Sequence, residues 1–163
     1  MENRFDIENY IIVKLTEGGD YLNVLKLHKL LYYVQAWSLA YGRGPLFAGK
    51  FQAWVHGPVN RELFDRFRDS KYMYSAVTAA DVPSDFDPAS VSDEPRQLID
   101  AVLEVYGPLT GDQLEEMTHQ EAPWITARDG VPPSARSEVE LDEKLMATFY
   151  GQRNNRSRCK KAD

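Results

Sequence analysis

The chain has 163 residues, 43% of them apolar and 27% charged, with a formal net charge of −6. That length suits one domain able to bury a core without covalent staples. A single cysteine, Cys159, excludes an intrachain disulfide framework and points to a reducing, cytoplasmic setting. The charge is divided. Residues 152–163 hold five basic groups and one acidic, a balance of +4 that leaves −10 on residues 1–151. So acidic a body argues against a general nucleic-acid-binding surface. The opening MENRFDIENY has no basic region leading into an apolar run, so no signal peptide is expected.

In chain order, Asp6 caps a first predicted helix, with Ile7, Tyr10, Ile11 and Leu15 at helical spacing and Gly18-Gly19 as its stop. Asn23 caps the second, NVLKLHKLLYYVQAWSLAY over residues 23–41, which has no internal Gly or Pro. Leu27, Leu30, Val34, Trp37 and Tyr41 share one arc of this helix, and Lys26, Lys29, Tyr33 and Ala36 the opposite arc. A helix apolar on most sides is a core helix, so the other segments should wrap around it. The charges of Lys26 and Lys29, with His28 and Gln35, count against a membrane span. Gly42 to Pro45 stops the helix.

Residues 46–55 alternate loosely, with Phe51, Ala53 and Val55 on one side and Gln52 and Trp54 on the other, as a short strand or extended arm would. His56-Gly57-Pro58-Val59 reads as a turn into a helix, Pro58 taking its first turn and Leu63, Phe64 and Phe67 its apolar face. Residues 70–92, rich in Ser, Asp and Pro, are expected to form a long, mobile loop that contributes to partner choice. Asp93 starts a helix that ends at Gly107-Pro108. Thr110 and Gln113 form a capping box for the next, which runs to about His119. Pro123-Trp124 opens a short helical turn, and Ser137 with Glu140 suggests another capping box before the last helix. The expected fold is mainly α: a single compact domain over residues 1–151, packed around the central helix, with at most a short β pair. Residues 152–163 are expected to be a basic, disordered tail.

The chemistry-bearing residues are sparse. His28, His56 and His119 show no HExxH or CxxC spacing, and the one local grouping for a metal is His119 with Glu115, Glu116 and Glu121. Structural roles are expected for the histidines, and no metal or cofactor is expected. No GxSxG elbow, Walker loop or GxGxxG occurs, and Cys159 has no positioned base, so an enzyme is not expected. A partner surface is the better expectation, with Tyr33 and Trp54 as aromatic anchors and His56 and Lys29 beside them. Trp37, Gly57, Pro58, His119 and Trp124 are expected to be structural.

Three segments, KLHKLLYYVQAW with the following GPLF, QAWVHGPV, and LEEMTHQEAPWITARDG, occur in an order and spacing that resembles the Panacea domain, the family of GepA and SocA-type antitoxins. The resemblance covers roughly residues 6–150. It implies a mainly helical, cytoplasmic protein of bacterial or phage origin that neutralises a cognate toxin by direct, stoichiometric protein contact. One SocA-type relationship instead implies an adaptor that delivers the toxin to a protease, so a protease or chaperone is a further possible partner. Readings from other classes are a small hydrolase or metal enzyme using His and carboxylates, and a nucleic-acid-binding regulator. His28 stands where the family often has Gln, and Val55-His56 where a basic or aromatic pair is common. The resemblance supplies no catalytic set.

Overall fold

The computed structural model describes residues 1–162, with side chains described through residue 154. The helix at its centre, α2, spans Val24–Ala40 and is capped by Asn23, whose side chain accepts the Lys26 amide at 2.8 Å. Helix α1, Arg4–Glu17, packs against it. Its cap is Asn3 rather than Asp6, which lies in the first turn, where a carboxylate suits the positive end of the helix dipole. Both arcs of α2 are buried. The arc of Lys26, Lys29, Tyr33 and Ala36 is as enclosed as the arc of Leu27, Leu30 and Val34. The reason is that α1, the β-hairpin and the later helices α4, α5 and α7 all pack on α2 from different sides.

Strands β1 (Phe51–Trp54) and β2 (Gly57–Asn60) form an antiparallel hairpin in the register Phe51↔Asn60 to Trp54↔Gly57. Pro58 is therefore in a strand opposite Ala53, not in the first turn of a helix. Gly57, at φ +103°, turns the chain into β2, and Pro58 is tolerated because this strand lies at a sheet edge. Helix α3, Arg61–Phe67, starts after Asn60, whose side chain accepts the amides of Glu62 and Leu63 at 3.1 Å each.

Residues 70–92 are tied down rather than free. Met73 and Ser75 carbonyls accept the Leu25 and Val24 amides at 2.9 and 3.2 Å, and Val77 and Val91 are buried in the core. Helices α4 (Asp93–Tyr106), α5 (Gly111–His119) and α6 (Ala122–Ala127) follow. Both bonds of the Thr110–Gln113 capping box are present, at 3.1 and 2.9 Å. The Ser137–Glu140 pair caps nothing. Residues 139–141 instead run along the free edge of β1, with the Ala53 amide donating to Val139 and the Leu141 amide to Phe51, both at 2.8 Å. An open strand edge with unpaired amides outcompetes a local cap. Helix α7, Glu143–Ala162, begins instead after Asp142, whose carboxylate accepts the Lys144 amide at 2.8 Å. Side chains from residue 155 on, Cys159 included, lie outside the described residues; along the backbone, α7 continues through residues 152–162 of the stretch expected to be a basic tail. Among the described residues no helix is long and apolar enough to cross a membrane. The fold is mainly α with one short β pair.

Candidate functional site

The three sequence segments that lie far apart in the chain meet around the hairpin. Lys29 on α2 donates to the Pro58 carbonyl at 3.2 Å. Gly57 sits so close that a Cβ there would lie 2.8 Å from both Lys29 Cε and Thr118 Oγ1. The Trp124 indole N–H donates to the Trp54 carbonyl at 2.9 Å, and Arg128 donates to the Ala53, Pro132 and Ala135 carbonyls at 2.8, 2.9 and 2.6 Å. His119 stacks on Trp124 at 4.2 Å between ring centres. Gln35 accepts the Leu46 amide at 2.8 Å and donates to the Phe47 carbonyl at 2.9 Å, which fixes the arm leading into β1. Trp37 donates from its indole to the Tyr106 hydroxyl at 2.9 Å. These bonds link α2, the hairpin and α5–α6 into one frame.

Two of the four expected partner residues are inside that frame. Tyr33 is fully buried, stacks on Tyr106 at 4.1 Å and donates its hydroxyl to Glu121 at 2.7 Å. It belongs to a network in which Glu121 also accepts from Tyr150 at 2.9 Å and Arg153 at 2.8 Å. Burial pushes the Glu121 carboxyl up, and the bonds from Tyr33, Tyr150 and Arg153 pull it back. Lys29 is also fully buried; burial pushes its ammonium down to about 7, opposed by the charge of Glu115. Their arc of α2 faces β2, α5 and the Glu121 cap of α6 instead of water.

Trp54 and His56 are at the surface, on one cleft of about 680 Å³. Its floor is the face of α2 carrying Val24, Leu25, His28 and Lys29, residues that helical spacing places together. The hairpin gives one wall, α3 and residues 71–73 another, and residues 134–138 close the rim. Trp54 is half-buried, its indole N–H on the Gln52 side chain at 2.7 Å, its ring edge-on to Phe64 at 4.8 Å and under the Arg61 guanidinium at 5.7 Å. His56 is exposed and bonds Glu115 at 2.8 Å. The His28 ring is almost wholly enclosed, its Nδ1 has no hydrogen-bond partner, and burial pushes its pKa down to about 3, helped by the Lys29 charge. Tyr72, on the rim, is 86% exposed.

The metal grouping considered from sequence is dispersed: Glu121 turns to the tyrosines, Glu115 to His56 and Glu116 to Gln120. Sequence reasoning missed Arg61, Phe64, Arg68, Lys71, Tyr72 and Arg136, which line the cleft. A signal is present: RELFDRFRDSKYMY, residues 61–74, interleaves basic and aromatic residues across the boundary between the predicted helix and the predicted loop.

No curated protein and no solved structure matches the chain. The family model described as antitoxin SocA-like, Panacea domain, matches residues 27–125, over half of the chain, including most of α2, the whole hairpin and α5. With the three segments gathered into one frame, the chain belongs to the SocA-like antitoxin family of Panacea domains.

Proposed function

We propose that this protein is the antitoxin of a toxin–antitoxin pair and neutralises its cognate toxin by direct, stoichiometric binding. Family membership supports the antitoxin role and a toxin as the partner in general. The observation that carries the binding reading is the cleft: half-buried Trp54 and the 86% exposed Tyr72 flank an apolar floor on a rigid frame. Large aromatic groups at the edge of a preformed concavity are the residues that dominate protein–protein affinity. Binding of this kind needs contact area and a few anchors, with no nucleophile or tuned acid. The reading carries with it a cytoplasmic setting in a bacterium or phage-infected cell.

The test is recovery of toxin-inhibited activity in vitro against antitoxin dose, using the product of the adjacent reading frame as toxin. Full protection is expected near one equivalent. The combined His28→Asn, His56→Gln and His119→Gln variant should protect equally if its melt shows that it folds, since the substitutions keep some hydrogen-bonding capacity. Protection by a trace of wild type that a folded triple variant loses would establish an enzyme instead. Protection that appears only with an added protease would establish the adaptor.

A further inference from the structure

The cleft differs in charge from the protein that surrounds it. The chain carries 25 acidic and 19 basic residues, yet Arg61, Arg68, Lys71 and Arg136 line the cleft against one acid, Glu138. Arg61 is engaged with Glu138 at 3.4 Å, Arg68 with Asp65 at 3.3 Å and Lys71 with Asp81 at 3.4 Å. Arg136 makes no ion pair among the described residues. Asp65 and Asp81 lie outside the lining, so they hold their basic partners from behind. The Arg61 and Arg68 pairs are exposed, so they are weak and exchange readily for a better-placed carboxylate, whereas Lys71 is half-buried and also donates to the Ala76 carbonyl at 2.9 Å. Beneath the basic rim the surface is apolar: Val24, Leu25, Val59, Phe64 and Met73. At about 680 Å³ the cleft falls within the roughly 300–1,000 Å³ of sites that enclose a drug-sized group.

Resting on the antitoxin reading, we infer that the cleft takes an acidic segment of the toxin that carries a large apolar side chain, the apolar group seated between Trp54, Phe64 and Val59 and the carboxylates held by Arg68, Lys71 and Arg136. An apolar anchor gains from leaving water on this floor, and flanking carboxylates complete the rim. A basic segment would meet four cations and displace none. A second copy of this chain is disfavoured because two cationic rims would face each other in an isologous contact. Single-stranded nucleic acid could use cations and aromatics too, but it needs a continuous basic track. Here Glu138 interrupts the track, and the net charge of −6 repels a polyanion at longer range.

The experiment uses the full chain and the adjacent-frame toxin. A photo-crosslinking benzoyl-phenylalanine replaces Tyr72, or Val105, which is 66% exposed on α4, as the off-cleft control. The crosslinked toxin peptide is then sequenced. In parallel, affinity is measured for wild type, the Arg68→Glu/Arg136→Glu variant, and Arg43→Glu, whose side chain lines a different, smaller pocket. The expected result is a Tyr72-site crosslink to a toxin segment rich in Asp or Glu with an apolar residue. The double reversal should lose about tenfold or more in affinity, and Arg43→Glu should match wild type. Affinity should also fall as salt rises. Both reversed side chains are exposed, and a melt matching wild type confirms the fold. Should that melt differ, Tyr72→Glu, at a more exposed position, serves in its place with the same expected loss.

Wild-type affinity in the folded reversal variant, or a crosslink to a basic or uncharged segment, overturns the cleft inference while stoichiometric protection keeps the antitoxin reading. Failure of wild type to bind or protect takes down both. Tight binding of a uridine oligonucleotide that competes with the toxin, or a self-dimer that the reversal dissociates, assigns the cleft to nucleic acid or to a second copy and overturns the inference.

Discussion

Two successive turns of α2 solve opposite problems. On one, Tyr33 meets a buried carboxylate, Glu121, that also accepts from Tyr150 and Arg153, and the hydroxyl of Tyr32 lies 3.0 Å from that of Tyr150. That network ties α2, the start of α6 and α7 together, and it is sealed. On the other, one turn earlier along the same side of the helix, His28 has an unbonded ring nitrogen and Lys29 has one carbonyl partner, and an open cleft lies over them. Buried polar groups that are fully paired stabilise and specify a fold; groups left short of partners cost stability unless something else completes them. The contrast separates a turn that holds the protein together from a turn that stands ready for another molecule.

Breaking the sealed turn should do the most damage. Glu121→Ala removes the acceptor of two buried phenols and the partner of Arg153, and should lower unfolding stability by about 3 kcal/mol in urea titrations. Loss of under about 1 kcal/mol would mean that the network is incidental to the fold. Next comes the seam between the two turns. Gly57→Val adds a Cβ where Lys29 and Thr118 already sit 2.8 Å away, at a φ of +103°. A loss of about 2 kcal/mol or more is expected from thermal melts. An unchanged melting temperature with lost protection would mean that the turn touches the toxin instead.

The open turn should show itself through pH. The His28 pKa is down at about 3 in the folded protein, so between about 6.5 and 3 the unfolded chain binds the extra proton and stability falls as pH falls. Lys29, down at about 7, acts with the same sign at higher pH: from about 7 upward the unfolded chain holds more protons, so stability rises with pH until the unfolded tyrosines begin to ionise near 10. His28→Leu should flatten the acid limb by up to about 1.4 kcal/mol per pH unit, and Lys29→Met the limb from pH 7 to 9. Denaturant midpoints across pH for the three proteins measure this; parallel curves would remove both groups from the account. The smallest stability effect belongs to the rim. Tyr72→Ala should stay within about 0.5 kcal/mol of wild type while weakening toxin binding. A clear drop in the melting temperature would recast Tyr72 as part of the fold.

Elements whose signal is local were legible in the chain. The central helix with its Asn23 cap, the Thr110–Gln113 box and the stop at Gly107-Pro108 depend on residues within a few positions of one another. The family motifs were legible for the same reason, as short strings at fixed separations. What failed were local patterns that a distant partner overrode. Ser137–Glu140 has the sequence of a cap but pairs with the edge of β1, and Pro58 has the sequence of a helix start but lies opposite Ala53. Residues 70–92 have the composition of a mobile loop, but Val77 and Val91 anchor them in the core.

The same division runs through the candidate site. Sequence alone fixed which side chains exist to make contacts, including Trp54 and the basic and aromatic residues after it. Only the tertiary structure decided which of them face water. Tyr33 and Lys29 look like surface residues on a helical wheel and are buried, because burial is set by the helices packed on α2 from outside its own sequence. Arg136 lies far along the chain from Trp54 and lines the same cleft, because residues 139–141 zip onto β1 and carry the preceding loop to its rim. A helical wheel reports the geometry of one element, whereas a cleft is defined by the gap between several.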